Sequence, residues 1–257
     1  MSMAGRLFFD SGARRIGPLL RGHLLLFDRR DPPAISAKAG WWLLALFAIF
    51  EFALGPRLEN LHLLNVPVPD TAFRVLLQTA AVLVAVRLLA GLRWRDIGFL
   101  PLTRWTATET LYFMQVVIAA GAIFYLLYVR GAPLAGAPLQ AAGLIAGTQL
   151  LWGFYQELIY RGLLQSELMR RFGAVWGALI ANVAFTFGPL HFYYFHSALS
   201  DAGKAEIFAA IFAIGLFFAF IFARTRNLWI VGIFHGIGNL FTNSGMEIHS
   251  LLSRHLS

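Results

Sequence analysis

The chain has 257 residues, of which 58% are hydrophobic and 13% charged, with a mean hydropathy of +0.66. That balance excludes an ordinary soluble domain and implies an integral membrane protein. Cysteine is absent, which removes disulfides, thiolate metal sites and a cysteine nucleophile together. The net charge of +8 does not imply a nucleic-acid partner, because the basic residues are dispersed and alternate with apolar stretches, and so report topology.

Residues 1–38 are basic and lack the continuous apolar core of a secretory signal. Within them "IGPLLRGHLLLF" (16–27) is too short to span and is expected to lie in the interface beside anionic lipid, the alternative being a disordered basic tail. Seven segments then approach the ~20 residues needed to cross hydrocarbon: 40–56, 71–92, 109–129, 139–167, 174–195, 205–223 and 227–244. They lack the alternation of barrel strands, so the expected fold is all-α, a polytopic transmembrane bundle of about seven helices. The bundle is expected over 39–245 as one domain, with "RGAPLAGAPLQ" (130–140) as a loop and 246–257 as a short C-terminal tail. Arg6, Arg14, Arg15, Arg21, Arg29, Arg30 and Lys38 precede the first span, and the later basic clusters fall mostly in alternate gaps. By the positive-inside tendency the N-terminus is cytoplasmic and the C-terminus outside.

Ionisable residues in hydrocarbon are costly enough to suggest function, and three late segments hold most of them. In "YQELIYRG" (155–162) Glu157 and Arg161 are four apart and share a helix face, while Gln156 lies about 100° around and stacks with Tyr160. "FTFGPLHF" places Phe187 and His191 on one face with Pro189 between them. "FHGIGNLF" places His235 and Asn239 on one face, with Gly232, Gly236 and Gly238 permitting close approach of another backbone. Taken singly, each helix also fits a plain packing role. At 1.5 Å per residue, however, Gln156, His191 and His235 sit about 22, 26 and 16 Å from the cytoplasmic helix ends, so the groups share roughly one depth. Such a gathering suits water activation better than packing.

"QELIYRG", "FGPLH" and "HGIGN" resemble the three motifs of the CAAX protease and bacteriocin-processing family of intramembrane endopeptidases, written Glu-Glu-x-x-x-Arg, Phe-x-x-x-His and His-x-x-x-Asn. The resemblance covers roughly 90–243 and includes "GLRWRDIGF" (91–99). It implies that residue 156 and His191 activate water and that His235 and Asn239 stabilise the oxyanion. Glu157, Arg161, Tyr160 and Phe187 then support the geometry. It also implies a membrane-anchored protein or peptide substrate, with prenylated CAAX ends, bacteriocin leaders and C-terminal sorting tails all in range, and a bacterial inner membrane as the location. No cofactor is expected. Zinc held by His191, His235 and a carboxylate ranks second, because an Asn is a good oxyanion donor and a poor zinc ligand.

The family pattern asks for Glu at 156, where this chain has Gln. A neutral amide cannot take a proton from water, so the Gln156 form is expected to be inactive or strongly impaired. An engineered inactive form, a natural variant using Glu157 and a pseudoprotease all fit that difference. Two other classes stay open: a scaffold that binds hydrophobic peptides without cutting, and a proton-coupled transporter using Glu51, Glu157 and the histidines. The transporter is the weaker of the two, since the internal repeat of many secondary transporters is missing.

Overall fold

The computed structural model describes residues 33–54, 57, 67–105, 107–128 and 139–255. The interfacial segment read at 16–27 and most of the loop at 130–140 lie outside the described residues. Every regular element described is helical. Helix α1 (Ala37–Ala48) starts where the Ser36 side chain accepts a hydrogen bond from Ala39 N at 3.1 Å, and it runs on as a π-helical turn, Ile49–Leu54. Helices α2 (Pro67–Leu88) and α3 (Ala107–Tyr128) follow, joined by two short 3-10 turns, Trp94–Ile97 and Leu102–Arg104. Helix α4 (Leu139–Glu157) passes without a break into a π-helical stretch, Leu158–Gln165, and then into α5 (Ser166–Phe187). Helices α6 (Asp201–Thr225) and α7 (Leu228–His255) complete the bundle.

Four stretches are long and apolar enough to cross a membrane: Ala37–Leu54, Thr71–Leu88, Gly143–Phe195 and Asp201–Thr225. Shorter apolar helices run over Thr110–Leu126 and Leu228–Thr242. The third stretch, 53 residues long, is two passes, because Gly173 takes φ 80, ψ 170 inside α5. Only glycine adopts that backbone without strain. The chain folds back there, and a side chain at Gly177 would strike the backbone of Met169. Each of the seven segments read from hydropathy therefore corresponds to a helix, and the polytopic all-α bundle is the observed fold.

Two boundaries differ from the sequence reading. The fifth segment does not stay helical to residue 195: α5 ends at Phe187, Gly188 is extended (φ −81, ψ 178), and Pro189–His191 form a 3-10 turn before a short helix, Phe192–Phe195. A residue before proline is pushed out of the helical region, and apolar character continues through the break and hides it. The region read as a tail from 246 is helical backbone as far as His255, as the end of α7.

The contact that positions the site is the crossing of α4 and α7. A Cβ at Gly153 would collide with the backbone N and Cα of Gly236, and one at Gly236 would meet the Cα of Leu150. The side of Gly232 is filled by the Phe154 ring and that of Gly238 by Phe124. The small residues thus bring the two backbones together one turn before Glu157 and beside His235. Gly153→Ala is expected to cost about 1–3 kcal/mol, as overpacking of a tight contact does. Thermal unfolding in detergent checks this, and an unchanged midpoint would contradict it.

Candidate active site

The polar residues of α4 and its π-helical continuation are held from several sides. Glu157 and Arg161 are fully buried and joined by a 3.1 Å bond from Arg161 Nε to Glu157 Oε2. The guanidinium also donates to the Gly215 carbonyl at 3.0 Å. A Cβ at 215 would strike Asn182 and Phe185, so the glycine lets α6 pack closely on α5. The π-helical stretch shifts the residues after Glu157 around the axis relative to an α-helix, a local device common at functional sites. Here it packs fully buried Arg161 and Gln165 against α6, where Gln165 Nε2 donates to the Ala219 carbonyl at 2.8 Å.

The other oxygen of Glu157 faces α7. Its Oε1 lies 2.8 Å from His235 Nδ1. An ionised carboxylate only accepts, so Nδ1 carries the proton and the Nε2 lone pair is left for the cavity. One residue back, Gln156 Oε1 accepts from Asn239 Nδ2 at 3.3 Å, which leaves the Gln156 amide N–H groups as donors. From the 3-10 turn, His191 Nδ1 lies 2.8 Å from the Phe185 carbonyl; a carbonyl also only accepts, so here too Nε2 is left as an acceptor. Both imidazoles stand edge-on to one ring, Phe185, at centroid distances of 5.1 and 5.8 Å.

These groups line one cavity of about 770 Å³, to which Gln156, His191, His235 and Asn239 all contribute. The structure thus brings together five site residues read from the sequence, since Glu157 stands directly behind His235. Tyr160 also reaches the cavity, and its hydroxyl donates to Glu51 Oε1 at 2.5 Å. Phe187 does not join them: it is 46% exposed and packs on Phe208 of α6. The break at Gly188 separates it from His191, and Phe185, two residues earlier, is the ring at the centre of the cluster. It touches Tyr160, His191 and His235 and lies under the Arg161 guanidinium at 5.1 Å. Glu51, Arg74 and Gln78 also line the cavity. Glu51 entered the sequence reading only as a candidate relay residue, and nothing local marked Arg74 or Gln78, because each meets the site only through the tertiary fold.

This arrangement has acceptors on two imidazoles facing amide donors on Gln156 and Asn239 across a shielded cavity, which suits addition of water to a polarised carbonyl. Residues 138–241 match one family model, type II CAAX prenyl endopeptidase Rce1-like. This stretch is similar to an Rce1-like domain. The Rce1-like stretch runs from the start of α4 to Phe241 and contains Gln156, Glu157, His191, His235 and Asn239. Helices α1 to α3 lie outside it, although the π-helical turn after α1, helix α2 and Phe124 of α3 supply a wall of the cavity. No curated protein and no solved structure matches the chain.

Proposed function

We propose that the chain is an intramembrane endopeptidase that hydrolyses a peptide bond near the membrane boundary of a membrane-associated substrate. The observation that carries this reading is the convergence of Gln156, His191, His235 and Asn239 on one cavity, within the stretch that matches an endopeptidase family. In this reading water sits between residue 156 and His191 Nε2, the Asn239 amide donates to the carbonyl oxygen, and His235 joins it as a donor in the imidazolium form, with Nδ1–H on Glu157 and Nε2–H turned to the cavity. Donors aimed at a developing oxyanion are worth about 10²–10³ in rate each. With Gln at 156 the carboxylate that would take the proton is replaced by an amide, so the chain as it stands is expected to bind substrate and turn it over slowly or not at all.

A second reading of the base rests on the 2.8 Å contact between Glu157 and His235. A carboxylate that holds Nδ1–H fixes the tautomer in which Nε2 is the base, the logic of a carboxylate–imidazole pair. In that reading His235 activates the water and the Gln156 and Asn239 amides serve as oxyanion donors. Any cleavage by the unaltered chain would come from this pair.

The charge distribution supports a cytoplasmic N-terminus, and a bacterial plasma membrane is the proposed location. Prenylated CAAX ends, bacteriocin leaders and C-terminal sorting tails remain the candidate substrate classes. Incubation of a membrane extract with the Gln156→Glu protein, followed by mass spectrometry of new peptide termini, tests the proposal. New termini near predicted membrane boundaries support it, and none in either form supports a non-cleaving scaffold. Zinc ranks second because both Glu157 oxygens are engaged by Arg161 and His235. Among the described residues no three His, Asp or Glu side chains converge as a ligand set. Activity of the Gln156→Glu protein is expected to survive chelators, and its loss with rescue by added zinc would replace the glutamate mechanism by a metal one.

A further inference from the structure

At the opposite end of α5 from His191, a second polar cluster takes no part in the site above. Arg226 lies in the two-residue link between α6 and α7, in the left-handed region (φ 52, ψ 30), with its N–H bonded to the Phe222 carbonyl. It is 4% exposed. All three guanidinium nitrogens are buried without a hydrogen-bond partner among the described residues, and the group lies 4.7 Å over the Phe222 ring. The two terminal nitrogens of Arg170, in the second turn of α5, are buried and unpartnered as well, as is the Nδ2 of Asn227. Arg170 keeps only its Nε bond to Glu167, at 2.8 Å. Asn227 Oδ1 caps α7 by accepting from Trp229 N at 3.0 Å, so its amide nitrogen is turned away from that helix.

Buried polar groups are paired as a rule, and a buried cation without an anion is costly. Here burial lowers the Arg226 pKa to about 9, and the like charge of Arg170 acts in the same direction. The surroundings supply too few anions. The turn at 93–98 is held against the link by the 2.9 Å bond from Leu228 N to the Gly98 carbonyl, but its one carboxylate, Asp96, pairs with Arg93 and Arg95 and favours the charge on Arg170 from a distance without bonding to it. Glu167 is likewise shared by Arg170 and Arg171. What is missing is an anion with several acceptor oxygens, and phosphate accepts from an arginine fork in two parallel bonds.

The level of the cluster in the bundle points to a source. Trp41, Trp94 and Trp176 are exposed at this end by 61, 51 and 64%, and Arg171 lies 4.0 Å over the Trp41 ring. Exposed tryptophans with arginines mark the headgroup level of a membrane protein. The Arg170 side chain keeps 13% exposure, so the cluster lies close to the protein surface.

We propose that Arg170, Arg226 and the Asn227 amide form a phosphate-binding site at the membrane interface, occupied by an anionic lipid headgroup or by a free phosphate ion. The site does not depend on the endopeptidase reading. The test uses the full chain and thermal unfolding. One arm compares sodium phosphate with sodium chloride at equal ionic strength in neutral detergent. The other compares nanodiscs of phosphatidylcholine alone with nanodiscs that also contain phosphatidylglycerol. A rise in midpoint in the nanodisc arm alone identifies the lipid headgroup, and a rise in both arms identifies any phosphate. Arg226→Met is expected to weaken the response about tenfold or more and to unfold no lower than the unaltered protein without the anion, because the unpaired charge is gone. Arg226→Lys keeps the charge without the fork and is expected to respond weakly, so it decides the matter if the Met protein does not fold. Arg93→Gln, at the exposed rim, should respond in full. Neither arm raising the midpoint, or Arg226 variants responding like the unaltered chain, would overturn the site.

Discussion

Gln156→Glu is expected to raise peptide-bond cleavage by about 10²–10⁴-fold, the range a positioned general base contributes. The substitution exchanges an amide nitrogen for an oxygen with almost no change of volume, at a residue only 7% exposed whose Oε1 already meets Asn239. The cavity keeps its shape, whereas the chemistry changes, since the carboxylate takes a proton that the amide cannot. His191→Ala in the restored background is expected to remove the gain, because it deletes the Nε2 acceptor on the other side of the proposed water. The Gln156 protein, with the same cavity walls, should retain substrate where the Glu protein releases products. Cleavage of a membrane-anchored peptide by the two proteins and the double variant measures the first two expectations, and co-purification of uncut peptide with the Gln156 protein measures the third. Equal rates for the Gln and Glu proteins would remove residue 156 from the position of the base.

Local sequence carried the parts of this site that lie within one helix. Glu157 with Arg161, and His235 with Asn239, are four-residue pairs whose shared faces follow from helical spacing alone. The glycines of α7 likewise announced a close crossing, and the partner found is Gly153 of α4. Other features were not legible, for distinct physical reasons. The helix break at Gly188 is hidden by apolar residues on both sides, and it moved the central aromatic ring from Phe187 to Phe185. The bond between Tyr160 and Glu51 joins residues 109 apart, and the one between His235 and Glu157 joins residues 78 apart. No periodicity encodes such pairs. Arg170 and Arg226 read as ordinary topology-setting charges, and only burial shows that their donors lack partners.

Loss of the Glu157 carboxylate is expected to have the largest effect on stability. Glu157→Ala leaves the fully buried Arg161 with no anion, and breaking a buried ion pair from one side typically costs about 3–5 kcal/mol. The bonds from Arg161 to Gln165 and the Gly215 carbonyl remain, but neither partner carries a charge. Arg161→Met added to Glu157→Ala should recover part of the lost stability, since the uncompensated cation disappears. It should not recover activity, because His235 Nδ1 still lacks the carboxylate that fixes its tautomer. Glu157→Gln separates the two roles. Its one side-chain oxygen can accept from Arg161 or from His235 but cannot serve both as the carboxylate does, so the midpoint should fall less than for Ala. Cleavage by the Gln156→Glu background should still drop by about 10²–10⁴, as expected when an imidazole loses its orienting carboxylate. Full activity of that double variant would show that Glu157 does not orient the base. Residual cleavage by the unaltered chain that vanishes with Glu157→Gln would assign the base to His235, since Gln156 is the same in both proteins and only the partner of Nδ1 has changed.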